Sequence, residues 1–189
     1  EMLAAFSAMH PQVSLELDLS SRRVDLLGEG FDLAVRIGEL PDDALLVGRK
    51  LAHMGSGLYA SPDYLRSQGE PQQPDDLLQH EALLLRNAAG QVLHWRLEQH
   101  DRRWQEQVPC RIHANTPDVL MHLGCSHAGI VSLPHCFARP VVQAGRLQPV
   151  LADWNLPGAS VWAVFPGRRL LPAKTRAFIE MLVVALQTL

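Results

Sequence analysis

The side chains able to do chemistry in this sequence fall into three sets. Arg36 stands in the apolar run Phe31 to Gly38, F-D-L-A-V-R-I-G, entered by Asp32 and flanked by Gly28, Gly30, Gly38 and Pro41. A guanidinium in such a run must reach water, a carboxylate or a ligand, so Arg36 pairs with Asp32 or Glu39 or else holds an anion. Ser61 in S-P-D and Thr116 in T-P-D share the grammar of a helix start: hydroxyl cap, proline at the first helical position, acid in the first turn. Free N–H groups at such an end can hold a carboxylate or phosphate, although Asp63 and Asp118 oppose the field and most caps bind nothing. The third set is His122, Cys125, His127, His135 and Cys136. These are zinc-ligand types without a C-x₂-C or H-x₃-H doublet, and core histidines and buried thiols explain them as well as a metal does.

Catalytic signatures are absent. The sequence has no G-x-S-x-G elbow, G-x-x-x-x-G-K-[ST] loop, H-E-x-x-H helix or G-x-G-x-x-G turn. Ser56 lies in G-S-G but lacks the strand-to-helix setting of a nucleophile. The expectation is a ligand-binding domain rather than an enzyme, with neither metal nor cofactor.

The bulk properties narrow the partners. A formal net charge of -3 offers no electrostatic footprint for nucleic acid. No apolar stretch reaches the roughly 18 residues of a membrane span; Phe178 to Leu189 is too short and contains Glu180 and Gln187. The three cysteines, Cys110, Cys125 and Cys136, form an odd, unpatterned set that suits reduced thiols in a cytoplasm. The chain opens on Glu1 with Met2 to Met9 already helical in pattern, so a fragment with at least one element in front is expected.

The elements that position these residues follow from periodicity. Leu3, Phe6 and Met9 share a helix face that ends at His10-Pro11. Val13, Leu15, Leu17 and Leu19 alternate with polar residues as a strand. Ser21 caps a short helix, Arg22 to Glu29, and Phe31 to Ile37 follows as a strand buried on both faces, giving a parallel βαβ unit. Leu45 to Leu51 is another strand, and Gly55-Ser56-Gly57 marks a bend or a change of lobe. After the Ser61 helix and a proline-marked loop come a short helix at Pro74, a strand at Leu83 to Leu85 and a turn at Asn87 to Gly90. A hairpin of Val92 to Leu97 and Trp104 to Val108 turns at His100-Asp101, and an edge strand spans Val108 to Ile112. The Thr116 helix then precedes a strand at Gly129 to Leu133, a helix at Cys136 to Gln143 and strands at Leu147 to Leu151 and Val161 to Phe165. The terminal helix, Lys174 to Leu189, is apolar almost all round, so it is buried or shared with a partner. The fold class is α/β, in two lobes between which the chain crosses more than once.

Five segments in this order resemble one family: V-D-L-L-G-E-G-F-D-L-A-V-R-I-G at Val24 to Gly38, Y-A-S-P-D-Y-L at Tyr59 to Leu65, A-G-I-V-S-L-P at Ala128 to Pro134, G-R-L-Q-P-V-L at Gly145 to Leu151, and L-P-A-K-T-R-A-F-I-E at Leu171 to Glu180. The chain resembles the effector-binding domain of a LysR-type transcriptional regulator over nearly its whole length. The resemblance implies two Rossmann-like lobes of the type 2 periplasmic-binding-protein kind joined by two crossing strands. Lobe I would be residues 1–57 with 158–189, and lobe II residues 58–157. It also implies that the N-terminal DNA-binding domain, the linker helix and the first strand of lobe I lie outside this chain. A small-molecule effector, an organic acid or other metabolite, would bind between the lobes at Arg36, Gly38, Ser61, Asn115, Thr116, Leu133 and Pro134. A homodimer or homotetramer in the cytoplasm would carry the change to DNA through the separate domain. His127 departs from the family pattern, which places glycine after that helix. The alternative is a periplasmic-type solute-binding protein for a small anion, which would share the fold but need an export signal.

Overall fold

The computed structural model describes residues 1–20, 22, 24–40, 45–167 and 171–187. Its elements are α1 (Met2–Met9), β1 (Ala34–Ile37), β2 (Leu46–Ala60), α2 (Pro62–Gln68), β3 (Ala82–Leu85), β4 (Leu97–Gln99), β5 (Arg102–Trp104), β6 (Ile112–Ala114), α3 (Pro117–Cys125), β7 (Ile130–Pro134), α4 (His135–Gln143), β8 (Gln148–Val150), β9 (Leu156–Pro166) and α5 (Ala173–Gln187). A 3₁₀ turn covers Pro74–Gln79. The chain folds into two compact units, Glu1–His53 with Ala159–Leu189, and Met54–Gly158. It passes from one to the other inside β2 and returns inside β9.

In the first unit, β1 pairs antiparallel with β9, Ala34 opposite Val164 and Ile37 opposite Val161. Phe6 of α1 is fully buried and meets Phe178 of α5 edge-on, with ring centroids 4.9 Å apart. Lys174 Nζ binds Asp32 at 2.7 Å. The core here is Phe6, Leu26, Val161, Ala163, Val164 and Ile179.

Several expectations fail in this unit. Val13 to Leu19 forms no strand, its backbone pairing with no described strand, and Leu19 is 88% exposed. The Arg22 to Glu29 helix is replaced by a turn. The Asp25 carboxylate accepts the N–H groups of Leu27 and Gly28, and the Glu29 carboxylate accepts that of Asp25. Such short-range side-chain bonds compete with the helical ladder for the same donors. The proposed cap, Ser21, lies outside the described residues. Among the described residues the parallel βαβ unit is therefore absent. The strand expected from Phe31 is confined to Ala34–Ile37, its neighbour is antiparallel, and Val35 and Ile37 are exposed rather than buried.

The second unit is built on strands in the order β8, β2, β7, β3, β6. β3 runs parallel to both neighbours, whereas β2 runs antiparallel to β7 and β8. Alternation sends Leu58, Leu84 and Ile130 to one face, and Tyr59, Leu83 and Val131 to the other. Both faces are covered, one by α2, the 3₁₀ turn and the hairpin around Trp95 and Leu97, the other by α3 and α4 through Leu120 and Ala138. Continuous apolar runs at 82–85 and 130–133 are the sequence mark of strands buried on both sides. The hairpin forms as the shorter pair β4–β5, and the edge strand lies at Ile112–Ala114 because Pro109 uses its carbonyl to accept from Ala82 N–H. β2 runs unbroken through Gly55 and Gly57, so these glycines mark no bend; the change of unit, between His53 and Met54, falls just before them. They make room for His135, whose ring would lie 3.0 Å from a Cβ on Gly55 and 3.1 Å from one on Gly57. α5 buries Thr175, Ile179 and Leu182 but leaves Val184 64% exposed.

A short polar chain sits inside this core. Glu81 N–H donates to the Tyr64 hydroxyl, which in turn lies 3.2 Å from His80 Nδ1. Burial pushes His80 below its ordinary value of 6.5, with Asp76 opposing. A depressed histidine adds stability that is complete above its ordinary value and is lost as pH falls through the folded one. Urea unfolding should thus show stability dropping as pH is lowered from neutral past about 6.5, with a shallower drop in His80→Gln. At Gly129 a Cβ would lie 2.4 Å from the Glu81 carbonyl oxygen that pairs with Ile130 N–H. Gly129→Ala should cost about 1–3 kcal/mol in the same measurement.

Candidate functional site

Arg36 is half-buried on β1. Its Nη2 donates to the Val24 carbonyl at 3.3 Å, while Nη1 is buried with no partner among the described residues. Neither expected acid pairs with it, since Asp32 holds Lys174. A buried guanidinium N–H without an acceptor is costly, and an anion removes that cost. Gly38 follows with φ 106, a conformation open to glycine, and both its backbone groups are engaged. Its N–H donates to Ser160 O at 2.9 Å and its carbonyl accepts from Trp162 Nε1 at 3.0 Å.

In the second unit Ser61 is fully buried. It caps α2 by accepting from Tyr64 N–H at 3.2 Å and lies 2.8 Å from His127 Nδ1. His127 Nε2 is in turn 3.5 Å from Asp63 Oδ2. The imidazole reaches this place because His127 occupies the left-handed position after α3, with φ 65. Ala128 N–H bonds Leu123 O and His127 N–H bonds Gly124 O, the two bonds of a Schellman closure that usually carries glycine. Serine, histidine and aspartate in line resemble a nucleophilic triad in composition alone. The hydroxyl is sealed from solvent and committed to the helix cap, so no substrate carbonyl can approach it.

Thr116 does not cap α3 with its side chain, contrary to the sequence reading; the half-buried hydroxyl makes no cap bond. Asn115 beside it is exposed. Leu133 is fully buried core and Pro134 half-buried, placed opposite Gly57 and Ser56 of β2. β2 ends at Ala60, so Leu133, Pro134 and Ser61 are organised by one strand. Ser61 and Thr116 are not brought together: Ser61 meets the carboxyl end of α3 through His127 and Thr116 starts its amino end. The nine residues of that helix span about 14 Å.

The histidines and thiols also disperse. His122 Nδ1 bonds Asp118 O at 2.8 Å, His135 Nδ1 meets the Tyr59 hydroxyl at 2.7 Å, and Cys136 Sγ faces Met54 Sδ at 3.9 Å. Among the described residues no three His, Cys, Asp or Glu side chains converge on a metal position. Burial raises the Tyr59 phenol above its ordinary value, with Cys136 adding to the effect. Sequence reasoning singled out His127 as a departure but missed its bonds to Ser61 and Asp63. The available signal was a long polar ring at a glycine position.

Residues 1–187 match the family model described as "LysR substrate binding domain". The chain belongs to the LysR substrate-binding domain family. Over 188 residues it is 36% identical to an HTH-type transcriptional regulator of Xanthomonas campestris, covering 98% of this chain and 54% of the relative. Over 176 residues it is 33% identical to an HTH-type transcriptional repressor of Pseudomonas aeruginosa, covering 93% and 55%. The chain thus spans little more than half the length of these LysR-type relatives. CrgA, a LysR-type transcriptional regulator from Neisseria meningitidis, superposes with a TM-score of 0.85 at 27% identity, covering 98% of this chain and 62% of that one. The regulatory domain of AphB from Vibrio vulnificus gives 0.79 at 25% identity, covering 97% and 90%. The fold is that of LysR-type regulatory domains, and no helix among the described residues is long and apolar enough to cross a membrane.

His127 is held at φ 65, a backbone position that glycine would occupy without strain. His127→Ala should be less stable than His127→Gly by about 1 kcal/mol in urea unfolding. Both variants lose the imidazole contacts, and only alanine keeps a Cβ in the left-handed conformation.

Proposed function

We propose that this domain is the effector-sensing part of a LysR-type transcriptional regulator and that its effector is a small organic anion. The observation that carries the anion reading is the buried, unpartnered Nη1 of Arg36. The uncommitted hydroxyl of Thr116 supports it. In this reading the lobes are residues 1–57 with 158–189 and residues 58–157, and both contribute to recognition: Arg36 and Gly38 from the first, Asn115, Thr116 and Pro134 from the second. Ser61 and Leu133, both fully buried, act as supports for that surface rather than as contacts.

The effector shifts the domain between two arrangements by its difference in affinity for them. A homodimer or homotetramer passes the shift to a helix-turn-helix domain outside this chain, in the cytoplasm. The relatives' names, HTH-type regulators and a repressor, support this reading over a solute-binding protein serving a transporter.

A thermal-shift screen of small carboxylic acids, followed by calorimetry on a hit, tests the proposal. Arg36→Met should weaken binding about tenfold or more, the worth of one charge-assisted contact. Thr116→Val should also weaken it, at less than about 0.5 kcal/mol of stability, because no cap bond is lost. A carboxylate that binds Arg36→Met as tightly as the parent protein removes Arg36 from the site and the anion reading with it.

A further inference from the structure

Within the second unit, the hairpin β4–β5 and the turn Leu151–Trp154 border an open-sided pocket of about 270 Å³. Its walls include Gln73, Gln99, Arg102, Leu151, Asp153 and Trp154. They are tied together before any ligand arrives. Glu98 and Asn155 exchange backbone hydrogen bonds at 2.9 and 2.8 Å, and Trp104 Nε1 donates to Asp75 at 2.7 Å. Trp154 N–H closes the turn onto Leu151 O at 2.9 Å, with Leu151 held at φ 51, an uncommon conformation for a leucine.

Two opposite charges, Arg102 and Asp153, line this space, both reachable from solvent. The Arg102 guanidinium lies 5.2 Å over the Trp154 ring, a cation–π contact that favours this placement. Its N–H groups and the Asp153 carboxylate make no hydrogen bond or ion pair with each other or with any other described residue. A simple anion placed here would meet Asp153, and a simple cation would meet Arg102. A neutral sugar would find the indole face already covered by Arg102. A ligand carrying both charges satisfies both walls at once, and the Gln99 carboxamide offers it a donor and an acceptor. The volume lies below the roughly 300–1,000 Å³ of drug-sized pockets, which suits a single small molecule.

We propose that this cavity is a second ligand site that takes a zwitterion of the α-amino-acid class, its carboxylate on Arg102 and its ammonium on Asp153. Every residue of the site belongs to the second unit, whereas Arg36 belongs to the first, so the two sites are separable by substitution.

Ligand-detected saturation-transfer NMR on the whole chain would test this, with each of the twenty protein amino acids as probe and acetate and methylammonium as single-charge controls. At least one amino acid should bind more tightly than either control. Arg102→Met and Asp153→Asn should each weaken it about tenfold or more, and Arg36→Met should leave it unchanged. Both substituted side chains are exposed, so the variants should retain the parent's unfolding midpoint. Absence of binding by all twenty, controls that bind equally well, retention in both cavity variants, or loss in Arg36→Met would each overturn the proposal.

Discussion

A strand of fifteen residues carries a long row of backbone donors and acceptors, and in β2 these must be satisfied by neighbours. β7 and β8 take its carboxyl half, pairing from Ser56 to Ala60, and β9 is its other neighbour in the sheet. Most of the second unit's geometry follows from this pairing. It aligns Leu133 with Gly57 and Pro134 with Ser56, and its end sets Ser61 as the N-cap of α2. Gly55 and Gly57 then read as spacers: a side chain at either would crowd His135, whose ring is held by Tyr59 from the same strand.

The link between α2 and α3 shows how a local cost is retained by distant contacts. A histidine in the left-handed region is less comfortable than glycine, yet His127 gains Ser61 Oγ on one ring nitrogen and approaches Asp63 with the other. Ser61 is already spent on Tyr64 N–H, and Asp63 is also paired with Arg66. The constellation is thus a structural tie between two helix ends, and its chemistry is consumed by that task. Arg36 presents the opposite situation. Its strand is short and partly exposed, its expected carboxylate is engaged elsewhere, and one nitrogen is left buried without an acceptor. A protein interior seldom tolerates such a group unless something else supplies the missing half.

The second cavity extends the same logic to the far side of the second unit's chain order. There main-chain bonds tie the hairpin to Asn155 beside the Leu151–Trp154 turn and an indole donor ties it to Asp75, while Arg102 and Asp153 make no ion pair. Rigid walls with unspent polar groups separate a recognition surface from a merely polar one.

Where the chain's local preferences and its packing agree, the sequence by itself determined the structure. Ser61-Pro62-Asp63 starts α2, Pro117 opens α3, and the apolar runs at 82–85 and 130–133 become strands covered on both faces. The five ordered segments likewise carried the family, because their spacing is fixed by the same elements. Tertiary structure decided the rest. Val13 to Leu19 has a strand's alternation, but a strand exists only where another backbone pairs with it. Arg22 to Glu29 has a helix's apolar spacing, yet the Asp25 and Glu29 carboxylates capture the N–H groups that a helix would need. Nor could spacing reveal that Thr116 leaves its helix uncapped, that His127 reaches back across 66 residues to Ser61, or that Asp32 answers Lys174 instead of Arg36. Those outcomes depend on which groups the fold brings within about 3 Å, and periodicity records only which face of an element a residue occupies.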